Sequence, residues 1–501
     1  MTDHELKDRL WPIRYRDSFQ NWARNIQCRP RGLMRPRTEE EVRLVIELAR
    51  REGREVRCVG AGHSPSDLAC SSDYMMNLDN LSGEIKFDEA AMCIEVFAGT
   101  RLNSFNDLAR SHGLALSTLG SISAQSIAGA LSTATHGCGA KFGILSTLVR
   151  SLTLILADTT QIVVSEEEGQ DIFRAALCGL GSIGVITRVQ MQCEPTFNLE
   201  EVVSELSFRD FLDHFEDIGK SGEHVRMYWF PHVDKVRVEC LNRTNKPQTP
   251  PPGLLASAVT HSYTHWIHPF NLLLSRNFSG FLQLHASLAY KFIHKPSGSV
   301  SIPQKPDSIR GDEPSTPSPK SIIEAEVNRI ADSVSVFNFD CGERQYTYEG
   351  AVPYLNTVSV LKHMNQWMKN EMAKPDGQRP HFPVEIRPVA SDDIWLSPSS
   401  GRLTTYIGLV QYKPFGQPVK YKGLFSEFER TILNADGRPH WAKAHACSPV
   451  QLERMYPRFH DFLALRATLD PEGRFLNPYI RRHLLGQIGE PMDMRRFKAR
   501  L

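Results

Sequence analysis

Between residues 38 and 53 the chain reads TEEEVRLVIELARREG, with Val42, Val45, Ile46 and Ala49 at helical spacing on one side. Thr38 stands at the N-cap position and Glu41 follows three residues later, the spacing of a capping box. The rhythm then shortens. EVRCVGAGHS is a strand running into a glycine turn. CIEVFAGT is a second strand, and LNSFNDLARSHG is a helix ending at Gly113. SIAGALSTATHGCG and a strand, VRSLTLILAD, come next. IFRAALCGLGSIGVITRVQMQCEP then reads as helix, glycine turn and strand. Helices alternate with strands to about residue 195, which predicts a mixed α/β region of domain size.

Beyond about residue 200, HVRMYWFPHVDKVRVECLNRT alternates as the strands of an antiparallel sheet do. Two helices are predicted near 322–333 and 354–373, and GRLTTYIGLVQY is a further strand, so this part reads as a second, α+β domain. The stretch from HWAKAH to RFLNPYIRR returns to the first domain. Residues 253–275 contain no Asp, Glu, Lys or Arg, and after Arg276 residues 277–290 are again uncharged. A spanning helix needs roughly 20 predominantly apolar residues. His261, His265, His268 and Pro269 dilute this run too much for that, which leaves two readings: a surface contact with a membrane, or a buried helical insertion. KPSGSVSIPQKPDSIRGDEPSTPSPKS, residues 295–321, reads as a disordered loop.

Composition narrows the class. At 501 residues the chain is too long for one core, and 41% hydrophobic with 23% charged residues is ordinary for a soluble globular protein. Lys+Arg at 58 against Asp+Glu at 57 leaves no basic excess for nucleic acid. The basic end, MRRFKARL, reads as a solvated tail. None of the ten cysteines forms a C-x-x-C pair, which argues against a zinc site or a redox motif and for a reducing, intracellular compartment. MTDHELKDRLWPIRYRD has no apolar stretch, so no cleaved secretory signal is expected.

The candidate chemistry begins at residues 59–67, VGAGHSPSD. Gly60 and Gly62 allow close backbone approach, and the amides of such a turn can cradle an anion, with Ser64 and Ser66 adding hydroxyls. The pattern is not G-x-G-x-x-G before a helix, so a nicotinamide-type fingerprint does not fit. His63 is either a capping or core histidine or an imidazole reaching what the turn holds. LGSISAQSIAGALSTATHGCG (119–139) and GLGSIGVIT (179–187) are two more stretches of small residues. One ligand touching all three must be as long as a dinucleotide. Glu385 and Arg387 in VEIRP alternate on a strand and face one side, either as a mutual ion pair or as working groups. Lys443 in HWAK is either a third such group or a solvated lysine after a buried Trp441.

VGAGHSPSD, STATHGCG, GLGSIGVIT, PVEIRPVASDDIWLSP and HWAK, in this order along nearly the whole chain, resemble the aldonolactone oxidase branch of the vanillyl-alcohol-oxidase-type flavoproteins. The resemblance implies an α+β fold: a two-subdomain FAD-binding domain of the PCMH type over 1–197, and a substrate (cap) domain with an antiparallel sheet over 198–438. The cap carries the Pro/Ser-rich insertion near 250–320, and segment 439–501 closes the active site. It implies FAD held by Val59, Gly60, Ala61, Gly62, Ser64, Pro65 and Ser66. Gly120, Ser121, Ser123, Ser126, Gly129, Thr133, Thr135, His136 and Gly137 follow from the second stretch, Gly184 and Ile186 from the third, and Lys443 from HWAK. Members with His at the position of His63 bond it to the flavin 8α-carbon, so a covalent adduct is expected here.

Glu385, Arg387 and Lys443 are implied as catalytic, with Glu385, Arg387 and Ser126 touching substrate. Glu385 orients or deprotonates the carbon-2 hydroxyl of an aldono-1,4-lactone, and the two cations welcome the charge that hydride transfer places on the flavin. Gly120 falls where plant dehydrogenases carry Ala, which bears on oxygen access. The function implied is oxidation of a sugar lactone to an ascorbate-type product with O2 reduced to H2O2. The alternatives are an alditol or sugar oxidase of the same family, a lactone dehydrogenase using another acceptor, and, in a different class, a flavin-binding or membrane-tethered protein without turnover. Lactone and O2 are the expected partners, with a peripheral membrane contact through 253–290 and a mitochondrial or reticulum membrane as the location the resemblance suggests.

Overall fold

The computed structural model describes residues 17–251, 261–275, 327–339, 344–381 and 383–487, with isolated residues between 5 and 10, 253 and 258, and 281 and 290. The proline- and serine-rich loop 295–321 and the basic tail lie outside the described residues.

The first layer opens with strand β1 (Gly32–Met34) and helix α1 (Glu39–Arg51). Thr38 accepts the Glu41 amide at 3.1 Å, as expected of an N-cap. The reciprocal half of the capping box differs: the Glu41 carboxylate accepts from Arg37 N–H at 2.6 Å, one residue before the cap. Val42, Val45, Ile46 and Ala49 are buried. β2 (Val56–Val59) and β3 (Tyr74–Asn77) complete a parallel sheet in the order β1-β3-β2. β4 (Glu84–Asp88), β5 (Cys93–Phe97), β6 (Val149–Ile155), β7 (Gln161–Ser165) and β8 (Val185–Gln192) form a five-stranded antiparallel sheet in the order β7-β6-β8-β5-β4. Helices α2 (Leu102–Ser111), α3 (Ile127–Ser132) and α4 (Gln170–Ala176) belong to the same half.

The second half is one large sheet. Its strands are β9 (Asn198–Ser207), β10 (His224–Phe230), β11 (Lys235–Thr244), β12 (Val327–Asp332), β13 (Gln345–Pro353), β14 (Val384–Val389), β15 (Thr404–Tyr412) and β16 (Arg438–Pro439). They lie in the order β12-β9-β11-β10-β14-β15-β13-β16. Helices α5 (Thr357–Met372) and α6 (Lys422–Asn434) cover it with apolar residues such as Leu361, Met364, Phe428 and Ile432. Over the described residues of the helix expected near 322–333, the chain is not helical until Ser333. It forms β12 there, antiparallel to β9, followed by a short turn of helix at Ser333–Phe337. A free edge of β9, with Arg329 bonding Glu201 across it, outweighs the local helical pattern.

Two large hydrophobic cores result, with three small clusters beside them among the described residues. One large core joins the first half to C-terminal residues including Trp441, Phe462, Phe475 and Ile480, and the other lies under the large sheet. The C-terminal chain is tied in by polar bonds as well: Val56 N–H donates to Arg474 O at 2.7 Å, and Asn477 donates to Leu68 O and Cys70 O at 2.7 and 3.0 Å. The nine described cysteines are free thiols, eight of them buried.

Over its described residues, the uncharged run before Arg276 is only partly buried. It contains a π-helical turn (Tyr263–Ile267) leading into a helix (His268–Ser275) that buries Leu272 but leaves Trp266 66% and Phe270 53% exposed. Among the described residues no helix is long and apolar enough to cross a membrane.

Candidate active site

A cleft of about 880 Å³ runs between the end of β2, the N-terminus of α3 and the turn before β8. Val59, Gly60, Ala61, Gly62, His63 and Ser64 form one wall, Ser126, Gly129 and Thr133 the second, and Gly184 and Ile186 the third. The three small-residue stretches, far apart in sequence, therefore share one cavity. Gly60 is glycine for a reason of packing: a Cβ there would lie 1.8 Å from Ser126 Oγ. Gly62 has φ +67°, a left-handed conformation that glycine adopts without strain. Asn21 and Asn25 hold the turn from outside, donating to Ser64 O at 3.0 Å and Pro65 O at 3.1 Å. The His63 ring stacks on Trp22 with centroids 5.4 Å apart. Ser66 is buried behind the turn and Pro65 joins the two, so neither lines the cleft.

Arg57, which the sequence reading passed over, also lines the cleft. Its guanidinium donates to Leu68 O at 2.9 Å, Gly181 O at 3.1 Å, Phe475 O at 3.5 Å and Leu180 O. These acceptors are all carbonyls. Among the described residues no carboxylate neutralises it, and burial pushes its pKa down to about 10. A buried cation lacking a counter-ion, beside a glycine turn and an apolar wall of Leu78, Ala98 and Val185, fits a ligand with a diphosphate and flat rings.

Of the remaining small residues of 119–137, Gly120 and Ser121 turn toward the second half of the molecule, whereas Ser123 and Thr135 bond within the first. Gly120 O accepts from Asn338 at 2.8 Å, and Ser121 O accepts from the Phe339 amide at 3.0 Å. Ser123 O accepts the Asn103 amide at 2.9 Å, and Thr135 Oγ1 accepts from Gln125 at 3.4 Å. Gly137 permits a close approach, since a Cβ would lie 2.2 Å from Thr118 Oγ1.

Glu385 and Arg387 form an ion pair on one face of β14, and Arg387 also donates to Ser121 Oγ at 2.6 Å. Burial works against the guanidinium charge, but Glu385, with Glu349 farther off, more than offsets it and keeps Arg387 protonated. Arg387 Nε is buried and finds no partner among the described residues.

Lys443 does not point to solvent. Its Nζ lies 3.7 Å from Glu349 of β13. Glu349 also meets His136 Nε2 at 3.2 Å and His440 Nε2 at 3.8 Å, and His136 stacks on Tyr406 at 3.6 Å. Burial alone would raise the Glu349 carboxyl, but His136, Lys443 and His440 hold it well below the usual carboxylate range. Burial pushes the His440 imidazole down to about 3, so it is neutral at working pH.

The two imidazoles and Glu349 offer ligand atoms within 4.8 Å of one another, as a metal centre would require. The hydrogen bonds favour a proton network instead. The Ala442 amide donates to His440 Nδ1 at 3.1 Å, which leaves the proton on the Nε2 that faces Glu349. His136 Nδ1 faces the Gly137 carbonyl at 2.9 Å and its Nε2 faces Glu349 at 3.2 Å, so both ring nitrogens have hydrogen-bond partners. Glu349 was invisible to motif reading. The available signal was a lone acid in the otherwise uncharged strand QYTYEGAVP.

A sequence profile described as D-arabinono-1,4-lactone oxidase matches residues 189–483, and one described as FAD binding domain matches residues 30–165. L-gulonolactone oxidase of Scyliorhinus torazame is 32% identical over 463 residues, 92% of this chain and 97% of that protein. The chain belongs to the D-arabinono-1,4-lactone oxidase family. Other relatives in this family range show both kinds of name. A putative D-arabinono-1,4-lactone oxidase of Neurospora crassa is 31% identical, covering 93% of this chain and 85% of that one. L-gulono-1,4-lactone dehydrogenase of Mycobacterium tuberculosis is 29% identical, covering 93% and 99%. Cholesterol oxidase from B. sterolicum shares the fold, with TM-score 0.70 at 16% identity over 94% of this chain and 97% of that one.

Proposed function

We propose that this FAD-dependent oxidoreductase oxidises the carbon-2 hydroxyl of an aldono-1,4-lactone, with O2 as the electron acceptor. The observation that carries the reading is a pair of half-buried carboxylate and buried guanidinium, Glu385–Arg387, set against Ser121 of the second small-residue stretch, whose Ser126, Gly129 and Thr133 line the cleft. Bound FAD supplies a two-electron acceptor for hydride. Val59 to Ser64, Ser126, Gly129, Thr133, Gly184 and Ile186 would hold it, with Arg57 countering the diphosphate charge. Glu385 accepts the hydroxyl proton at its carboxylate. Arg387 and Lys443 stand ready for the negative charge that develops as the hydride leaves carbon.

His63 is assigned the covalent bond to FAD, supported by its place on the cleft wall. Gly120 is assigned the oxygen path. A contact with a lipid surface, on a mitochondrial or reticulum membrane, is assigned to the exposed face of Trp266, Ile267 and Phe270, which packs beside a turn carrying the exposed Phe415. Flotation with anionic liposomes, lost in the Trp266→Ser/Phe270→Ser variant, checks the last point.

The experiment that tests the whole is peroxide release on a panel of aldono-1,4-lactones and open-chain alditols. Turnover on lactones with peroxide equal to product supports the reading. Turnover on alditols alone, or on lactones only with an artificial acceptor, replaces it with one of the other two.

A further inference from the structure

Lys443 hangs on a flexible four-carbon stem, and such a side chain stays free among its rotamers unless something fixes it. The loop after β16 provides no helix or strand to do so; its Lys443 amide bonds only back to His440 O at 2.9 Å. Glu349 is the group within reach of the ammonium, at 3.7 Å, and it is itself immobile. Its strand is paired on both sides, by β15 and by β16. Its backbone carbonyl accepts the His440 amide at 3.3 Å. Its carboxylate is gripped by His136 from the first half of the molecule and faced by His440 Nε2. Gly408 lies opposite it on β15, where a Cβ would come into van der Waals contact with Glu349 Oε1 at 3.6 Å.

We propose that Glu349 is the positioning residue for Lys443: it fixes the ammonium as a counter-ion, and through His136 it makes that placement depend on the docking of the two halves. This rests on the assignment of Lys443 to the flavin side of the site. Glu349 acts through the lysine and touches neither lactone nor FAD. A carboxylate so little exposed is balanced by the ammonium beside it, and His136 Nε2 lies within hydrogen-bond distance of that carboxylate. A merely structural tie between the two halves would need His136 and Glu349 but not the lysine.

The test uses the flavin-loaded protein with Glu349→Gln, Glu349→Asp, Lys443→Met and the Glu349→Gln/Lys443→Met double variant. Flavin reduction at saturating lactone should slow roughly 10- to 100-fold in Glu349→Gln with KM moving less than about threefold, as loss of alignment does. Glu349→Asp should recover part of that loss. The double variant should be no slower than Lys443→Met by more than about twofold, the sign of two residues acting as one unit. A readout independent of turnover is the rate at which an amine reagent labels Lys443, followed by peptide mass spectrometry. It should rise several-fold in Glu349→Gln while labelling of the exposed Lys362 stays constant. Wild-type reduction in Glu349→Gln, multiplicative losses in the double variant, or unchanged Lys443 labelling would each overturn the proposal. A Lys443→Met variant with wild-type reduction would instead overturn the assignment of the lysine itself.

Discussion

Glu349 and Glu385 stand in one cross-strand row of the large sheet, each paired with Gly408, which lies between them on β15. Residues directly opposite on antiparallel strands face the same side. The Glu349 side chain leans over the Gly408 position, where a Cβ would stand 3.6 Å from its Oε1. Gly408→Val should crowd the carboxylate and slow flavin reduction by lactone roughly tenfold, as loss of alignment does, while flavin binding stays unchanged. Stopped-flow reduction with an absorbance spectrum checks both, and wild-type reduction would mean that the row tolerates a side chain there.

Arg387→Ala removes the cation nearest Glu385 and leaves that carboxylate without its guanidinium. Loss of one preorganised charge-stabilising donor costs about 3 kcal/mol, or roughly a hundredfold in rate. Stopped-flow reduction of the flavin by lactone should show that loss, while reoxidation by O2 of chemically reduced enzyme changes less.

Gly120→Ala tests oxygen access. The added methyl would lie 3.0 Å from Thr135 Cγ2 and 3.3 Å from His136 O, a tight but flexible fit against a side-chain methyl. Reoxidation by O2 should slow by about an order of magnitude with reduction by substrate preserved, the pattern of a lost route rather than lost chemistry. Equal losses in both half-reactions would point to a shift of the His136 loop instead.

His63 decides whether flavin is tethered. Acid precipitation of wild-type protein should carry the yellow colour into the pellet, whereas His63→Ala should release it to the supernatant. The variant should still fold, since His63 sits on the wall of the cleft and not in a hydrophobic core.

Asp392, in the segment after β14, carries a carboxyl that burial pushes up from 3.8 to about 6, against bonds from Ser397 and the Ile394 amide. An acid raised in the folded state contributes stability below its unfolded pKa and loses it as pH rises through the folded value. The stability of wild type relative to Asp392→Asn should therefore fall between pH 3.8 and about 6 and level off above. Denaturant titrations across that window give the answer. A difference independent of pH would mean that the carboxyl titrates normally.

What the sequence determined by itself was whatever has a local cause. The cap at Thr38, the stripe of α1, the strands VRSLTLI and TTYIGLVQY and the glycine at 62 announce themselves within a few residues, because hydrogen bonds and steric limits act over that range. The five quoted motifs carried the family as well. Tertiary structure decided the rest. Residues near 327 became a strand because an unpaired edge of β9 was waiting for them. Arg57 became a cleft residue because Leu68, Leu180, Gly181 and Phe475 bring it carbonyls from three distant segments. Glu349 met His136 across 213 positions, and no local pattern records that contact. Electrostatic neighbours are chosen by the path of the whole backbone, so a charge network in a buried interface exists only once the halves are packed.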